Sequence, residues 1–199
     1  MNKTALRTTF IALFTALICI GGIIKIPLGL VPIVIQNAMC ILTAVILGGI
    51  FGGMPTLIFF LAGLIGLPVF AGGTGGFAFV LGPTGGFYIG YVVAAFIAGF
   101  IAGKPSVTEK KLSKKVVIRV SLAMILGMAI LYIPAIPWFA HWATANGKIP
   151  AEKTALAYTM GAAVLPYIPG DILKIIVAIP VALKVRPILA QYLYEKDSK

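Results

Sequence analysis

The stretch Pro83–Ala102, PTGGFYIGYVVAAFIAGFIA, runs for twenty residues without a charge. At 1.5 Å per residue, a helix of this length spans about 30 Å, the thickness of the hydrocarbon core of a bilayer. Small residues recur at every fourth position, namely Gly86, Gly90, Ala94, Ala98 and Ala102. Such a stripe lets a neighbouring helix approach closely. The stretch therefore predicts a transmembrane helix packed inside a bundle.

The composition as a whole supports a membrane location. The chain has 199 residues, of which 60% are hydrophobic and 11% are charged, whereas a soluble domain carries about 25% charged residues. So few charges cannot cover a water-facing surface, and so many apolar residues exclude a disordered chain. We predict a multi-pass protein of the cell membrane that forms one domain over residues 1–199.

Apolar runs separated by Gly, Pro and charged residues define the predicted helices. The predicted fold class is an all-α bundle of six transmembrane helices over Ala5–Ile24, Val31–Ile50, Thr56–Phe70, Pro83–Ala102, Val116–Pro137 and Asp171–Leu183. A short helix at the membrane surface is predicted over Glu152–Leu165. The glycine-rich segment Gly72–Gly76 is predicted to be a flexible lid over an outer pocket.

The basic residues orient this bundle. Of the sixteen Lys and Arg residues, twelve fall at the two termini and in the loop 104–119, and three fall in the opposite loops. Because loops rich in Lys and Arg stay in the cytoplasm, both termini are predicted to be cytoplasmic. The net charge of +11 thus belongs to the membrane flanks and does not indicate a nucleic-acid partner.

Two ionisable residues, Asp171 and Lys174, stand at the start of the last predicted helix. Charges inside a membrane mark functional sites by default, and the i, i+3 spacing lets these two neutralise each other. In the functional interpretation, Lys174 binds a ligand carboxylate while Asp171 accepts from ligand N–H groups or orients the lysine. In the structural interpretation, Asp171 caps the helix and Lys174 extends to water.

Other polar and aromatic residues fall at the same end of the predicted helices, within the outer third of the bilayer. The candidate ligand contacts among them are Thr84, Gly85, Gly86, Tyr88, Tyr91, Gln36, Asn37 and Phe77. Close helix packing is the alternative for the glycines, and interhelical hydrogen bonding is the alternative for the two amides. The inner halves of these helices carry no charge, so the predicted site opens outward only.

Catalytic chemistry has little support in the sequence. His141 is the only histidine, no serine lies in a G-x-S-x-G context, and Asp171 is the only acid within the predicted spans. Cys19 and Cys40 fall in apolar runs, where free thiols are expected, and no Cys/His cluster indicates a metal. The sequence therefore predicts neither an enzyme, nor a metal site, nor a resident cofactor.

Two motifs carry a resemblance to a known family: GPTGGFYIG at 82–90 and PGDILK at 169–174. Together with the glycine-rich loop and the ALFTA stretch at 12–16, they resemble the biotin-specific S components (BioY family) of energy-coupling-factor (ECF) vitamin transporters. The resemblance covers essentially the whole chain. It implies a six-helix protein that binds biotin near the outer surface, beside a transmembrane coupling protein and two ATPase subunits. It assigns Ala12 and Ala16 to the face that docks on the coupling protein.

The residues taken alone favour a small anionic ligand with an apolar body. The predicted function is capture of biotin from outside for ATP-driven uptake by the partner module, because no ATP site is visible in this chain. No series of ionisable residues crosses the predicted membrane either. Two alternatives stay open. One is a stand-alone, proton-coupled transporter of a small carboxylate that uses Asp171 as its proton site, and the other is a ligand-free membrane interaction protein.

Overall fold

The computed structural model describes residues 3–23, 25–111 and 113–193 as a bundle of helices. In chain order the helices are α1 (Lys3–Ile23), α2 (Gln36–Leu47), α3 (Gly49–Leu64), α4 (Phe77–Val80), α5 (Gly85–Ala102), α6 (Lys114–Ile130), α7 (Tyr132–Ala145), α8 (Ala155–Thr159) and α9 (Ile168–Leu193). A 3-10 turn covers Val107–Lys111 and a π-helical turn covers Met160–Val164. The predicted end of the first helix at Ile24 lies outside the described residues.

Two short strands join α1 to α2. β1 (Lys25–Ile26) and β2 (Ile33–Val34) pair antiparallel, with Lys25 opposite Val34 and Ile26 opposite Ile33. We call the segment 25–34 the hairpin and this end of the bundle the hairpin end; α2, α5 and α9 start there. At the opposite, terminal end, the Arg7 guanidinium donates to the carbonyl oxygen of Leu193 at 3.2 Å. This contact holds the start of α1 beside the end of α9.

The second and third helices differ from their predicted bounds. The sequence predicts a second helix from Val31, but the hairpin occupies residues 25–34 and α2 begins only at Gln36. The chain then turns at Gly48 and Gly49, whose φ angles are +67° and +59°, values that favour glycine. Consequently α3 begins at Gly49 and ends at Leu64, and the predicted helix Thr56–Phe70 is wrong at both ends.

Helix α5 lies at the centre of the bundle and packs on α2, α3, α6 and α7. Its small-residue stripe faces inward, since Ala94, Ala98 and Ala102 are fully buried. At Gly90 a Cβ would lie 2.2 Å from the carbonyl oxygen of Leu131, so the glycine permits backbone contact between α5 and the α6–α7 junction. The stripe therefore serves close helix packing, as its spacing predicted.

The last two predicted helices end too early. The fifth continues past Pro137, because α6 and α7 together extend to Ala145. The sixth begins at Ile168 and runs to Leu193 instead of ending at Leu183. The predicted surface helix Glu152–Leu165 begins three residues late, at Ala155, where the Thr154 hydroxyl accepts from the Ala157 N–H at 3.2 Å and caps α8.

Three described helical stretches are long and apolar enough to span a membrane: Lys3–Ile23, Gly85–Ala102 and Lys114–Ala145. Large apolar side chains cover the outside of the bundle, among them Ile133 and Leu173, which are 68% and 62% exposed. Such a surface suits lipid rather than water, and the chain is a membrane protein. Helices α2 and α3 are shorter than about 20 residues. The count of six spans and the cytoplasmic termini therefore stay predictions.

Candidate ligand-binding site

Four polar side chains from three elements meet near the hairpin end. The Asp171 carboxylate accepts from the Asn37 amide at 2.9 Å and the Lys174 ammonium at 3.0 Å through Oδ1, and from the Tyr132 hydroxyl at 2.7 Å through Oδ2. Lys174 Nζ also donates to Asn37 Oδ1 at 3.0 Å. We call these four residues the pocket cluster. Because it contains one carboxylate and one ammonium, its net charge is zero.

The pocket cluster keeps hydrogen-bonding capacity for a ligand. An ammonium has three donor hydrogens, and Lys174 uses two of them within the described residues. A carboxylate has about four acceptor sites, and Asp171 uses three. One donor on Lys174 and one acceptor on Asp171 Oδ2 thus remain in two groups that are themselves in contact, with Lys174 Nζ 3.0 Å from Asp171 Oδ1. Such a pair of groups matches a ligand with a carbonyl next to an N–H.

The pocket cluster borders a small inner cavity. One lobe, of about 20 Å³, is lined by Asp171 and Lys174, and a second lobe, of about 10 Å³, is lined by Thr84 and Tyr88. The two lobes share five lining residues, namely Val31, Pro32, Val34, Phe87 and Tyr91. The inner cavity therefore has a polar end and an apolar, aromatic wall.

The hairpin forms one wall of the inner cavity and is held by Tyr167. The Tyr167 hydroxyl donates to the carbonyl oxygens of Leu28, at 2.8 Å, and Val31. Tyr167 lies in the turn before α9, and burial raises its pKa to about 12, so the hydroxyl keeps its proton at physiological pH. The glycine-rich loop, predicted as the lid, lies beside the end of α1, with the Gly72 N–H donating to the carbonyl oxygen of Gly22 at 2.7 Å.

Six of the predicted ligand contacts line the inner cavity. They are Asn37, Thr84, Tyr88, Tyr91, Asp171 and Lys174. The alternative in which Asp171 caps the helix and Lys174 extends to water does not fit this geometry. The Lys174 ammonium instead points toward Asn37 and Asp171. The structure thus brings together residues that are more than 130 positions apart in the sequence.

Comparison with known proteins gives this site a context. The BioY family model matches residues 1–191. The chain belongs to the BioY family. A probable biotin transporter BioY from Pyrococcus horikoshii is 34% identical over 89% of this chain and 94% of the relative. A biotin transporter BioY from Rhodobacter capsulatus is 35% identical over 86% and 88%. A solved crystal structure, the S-component for biotin from an ECF-type ABC transporter, is similar at 31% identity and a TM-score of 0.72, with 93% of both chains covered.

Four predicted contacts of this BioY-family chain lie elsewhere. Gln36 is fully buried and donates to the carbonyl oxygens of Ile18, at 3.1 Å, and Val69, at 2.9 Å, so it follows the interhelical alternative. Phe77 is 63% exposed and lines neither lobe of the inner cavity. A Cβ at Gly85 or Gly86 would meet atoms of Trp138, at 2.9 and 2.4 Å. These glycines therefore permit α5 to pack on α7 and do not face the cavity.

Sequence reasoning missed the three aromatic residues Tyr132, Tyr167 and Phe87, as well as the hairpin wall. Tyr132 lies where α6 meets α7 and Tyr167 lies at the turn before α9, so both occur at helix ends. An aromatic hydroxyl near the end of an apolar helix is a usable signal, because it seeks a partner when it is buried. The register of the hairpin left no signal in the sequence.

A second buried ionic cluster lies at the terminal end of this BioY-family chain. Arg186 Nε donates to Glu109 Oε2 at 2.8 Å, and Arg119 Nη2 donates to Glu109 Oε1 at 2.7 Å. Arg186 also donates to the carbonyl oxygens of Val45, Ala102 and Gly103. Arg186 is fully buried and Glu109 is 3% exposed. We call Glu109, Arg119 and Arg186 the arginine cluster. From its position near the C-terminus, the sequence predicts Arg186 in a cytoplasmic flank rather than in a buried cluster.

The predicted docking residues lie on one outer face of α1. Ala12 and Ala16 are exposed, and Thr8 lies exposed on the same face one turn earlier. The opposite face of α1 packs inward through Phe14 and Ile18. The small-residue stripe of α1 is thus available to another helix in this structure.

Proposed function

We propose that this chain is the biotin-capturing S component of an ECF-type ABC transporter. The observation that carries the proposal is the pocket cluster, with its adjoining spare donor and acceptor, in a chain whose BioY-family relatives and solved neighbour are named for biotin. The ureido group of biotin has a carbonyl flanked by N–H groups. Lys174 donates to that carbonyl and Asp171 accepts from an N–H, while the apolar body of the ligand packs on Phe87 and Tyr91.

Capture requires the hairpin to move. Ligand pockets have volumes of about 300 Å³ or more, and the larger lobe of the inner cavity measures about 20 Å³. Because the hairpin forms one wall of the inner cavity and Tyr167 holds it through Leu28 and Val31, lifting the hairpin exposes the inner cavity. Closing it again over biotin excludes water and strengthens the polar contacts of the pocket cluster.

Transport requires partner subunits. The proposed orientation places the hairpin end outside, both termini in the cytoplasm and six helices across the cell membrane. The exposed stripe with Ala12 and Ala16 then docks on the transmembrane coupling protein, whose two ATPase subunits hydrolyse ATP. This chain binds biotin only, and it needs neither an enzyme activity nor a cofactor for that role.

Reconstitution into vesicles tests the proposal. Vesicles holding the chain together with a coupling protein and two ATPase subunits accumulate labelled biotin with internal ATP and do not accumulate it without ATP. Uptake by the chain alone that collapses with a protonophore and with Asp171→Asn would instead establish the proton-coupled alternative. A folded chain whose thermal stability biotin leaves unchanged would point to a ligand-free interaction protein.

A further inference from the structure

A larger cavity lies between the inner cavity and the surface at the hairpin end. It measures about 360 Å³ and is lined by Ala71 and by residues from the hairpin, from α4 and from the segment before α5, among them Lys25, Phe79 and Pro83. We call it the vestibule. Pro32, Ala71 and Thr84 line both the vestibule and the inner cavity. The vestibule and the inner cavity are therefore neighbours that share a wall, and lifting the hairpin, which carries Pro32, would join them.

Lys25 brings a positive charge to the vestibule. Its exposed side chain packs against Gly72 of the glycine-rich loop. A Cβ added at Gly72 would lie 2.5 Å from Lys25 Cε and 2.6 Å from Lys25 Nζ. Its backbone pairs with Val34, which lines the inner cavity. Within the described part of the chain, no acidic residue pairs with Lys25. The Lys25 ammonium therefore lies at the vestibule, and no acidic side chain of the described residues neutralises it.

The pocket cluster offers no comparable charge. The Lys174 ammonium already pairs with the Asp171 carboxylate at 3.0 Å, and a second carboxylate brought to Lys174 would face Asp171 at short range. Like charges that share a site repel each other. A neutral group with a carbonyl and an N–H meets no such repulsion. The two cations therefore suit different parts of one ligand.

On the basis of the proposed function, we propose that Lys25 binds the carboxylate of the ligand in the vestibule, while the pocket cluster binds its uncharged ureido end. The ligand then lies with its ring inward and its tail toward the hairpin end. This assignment replaces the expectation that Lys174 receives the carboxylate. It makes Lys25 the residue that distinguishes a free acid from its amide or from an acid blocked by conjugation.

Equilibrium binding of biotin and biotin carboxamide to the purified full chain in detergent tests the assignment. The wild type binds biotin about tenfold more tightly than the amide, the order expected for a charge-assisted hydrogen bond. In Lys25→Met, which keeps the apolar stem, biotin binding weakens about tenfold and amide binding stays within twofold. Lys25→Gln behaves in the same way. The control Lys148→Met, at another exposed lysine, keeps the preference for the acid.

Two further measurements distinguish a failure of the Lys25 assignment from a failure of the proposed function. Lys174→Ala weakens both ligands to a similar extent and keeps the preference for the acid, and added salt weakens biotin more than the amide. If the preference for biotin over its amide survives Lys25→Met, or disappears with Lys174→Ala, Lys25 does not bind the carboxylate. Either result leaves the proposed capture of biotin unaffected. A folded wild type that binds neither ligand overturns the proposed function and this assignment together.

Discussion

The two buried ionic clusters lie at opposite ends of the bundle and differ in what surrounds them. The pocket cluster borders a cavity and keeps an unused donor and acceptor. Glu109, Arg119 and Arg186 line neither the inner cavity nor the vestibule, and Arg186 contacts three backbone carbonyls besides Glu109. By the proposed function the pocket cluster binds a ligand, whereas the arginine cluster joins helix ends through Arg186. Free hydrogen-bonding capacity next to open space distinguishes the first role from the second.

Charge balance explains why the arginine cluster is tolerated at the terminal end. Two arginines exceed one glutamate by one positive charge, and the Arg186 guanidinium contacts the C-terminal carbonyls of α2 and α5. Each helix C-terminus carries about half a negative charge, so two of them offset the excess. Arg186 also supplies partners to carbonyls that have none within their own helices. The cluster therefore ties α2, α5 and α9 together.

Breaking the arginine cluster has the largest expected effect. Arg186→Met leaves Glu109 buried without its main partner and frees the helix carbonyls. Removal of one partner from a buried ion pair costs about 3–5 kcal/mol. We therefore expect the free energy of unfolding in detergent to fall by that amount in a denaturant titration. The affinity of the folded fraction for biotin changes by less than about twofold.

Arg119→Met is the matched control, because the Arg119 side chain is 42% exposed. Exposed ion pairs contribute about 0–1 kcal/mol to stability. We therefore expect the free energy of unfolding of Arg119→Met to lie within about 1 kcal/mol of the wild-type value. Equal losses for Arg186→Met and Arg119→Met would show that burial does not set the strength of this cluster.

Breaking the pocket cluster weakens ligand binding, and it also leaves the buried Asp171 carboxylate without its ammonium partner. Lys174→Ala removes a charged hydrogen bond to the ligand, worth about 1.5–3 kcal/mol, so we expect the biotin dissociation constant to rise about ten- to hundredfold. Calorimetric titration of the purified chain measures it. The control is Lys153→Ala, since Lys153 is exposed outside the cavity. An unchanged affinity in Lys174→Ala would remove Lys174 from the site.

Releasing the hairpin has a smaller effect that appears in rates. Tyr167→Phe deletes the hydroxyl that holds Leu28 and Val31, at a cost of about 0.5–1.5 kcal/mol. The hairpin then opens more often, and biotin dissociates several times faster in a chase with unlabelled ligand. Tyr192→Phe, at a side chain that is 53% exposed, serves as the control. A dissociation rate equal to that of the wild type would mean that the hairpin does not retain the ligand.

A substitution on the exposed face of α1 has the smallest expected effect on biotin binding. Ala16→Trp adds bulk to an exposed face far from the pocket cluster, so biotin affinity stays within about twofold of the wild type. ATP-driven uptake in vesicles with the partner subunits is lost, because the stripe no longer allows close helix approach. Ile133→Trp, on the exposed face of α7, retains uptake. Normal uptake by Ala16→Trp would exclude this face as the docking surface.

The sequence predicted three of the four residues of the pocket cluster, all except Tyr132, but it predicted the helix ends around them less well. Asp171 and Lys174 are conspicuous because ionisable residues are costly in an apolar helix, and Asn37 lies at the matching end of α2. The turn at Gly48 was missed because Gly52, Gly53 and Pro55 looked like the break, whereas α3 contains all three. A Cβ at Gly52 would lie 2.2 Å from the carbonyl oxygen of Ala44, so this glycine permits helix packing.

The arginine cluster and the hairpin could not be predicted from local pattern. Arg186 occurs among flanking lysines, where basic residues are ordinary, and its partner Glu109 is 77 positions away. Gln36 and Asn37 are adjacent and chemically alike, yet one bonds to backbone and the other to Asp171. Tertiary packing decides such choices, because the two side chains point in different directions around the helix.

Biotin binding to the purified chain in detergent, compared between the wild type and Asp171→Asn, tests the central claim most directly. Asp171→Asn removes the carboxylate that accepts from Asn37, Tyr132 and Lys174. The account predicts one biotin per chain for the wild type and an affinity at least about tenfold lower for the variant. A folded wild type that binds no biotin, or a variant that binds it equally well, would contradict the account.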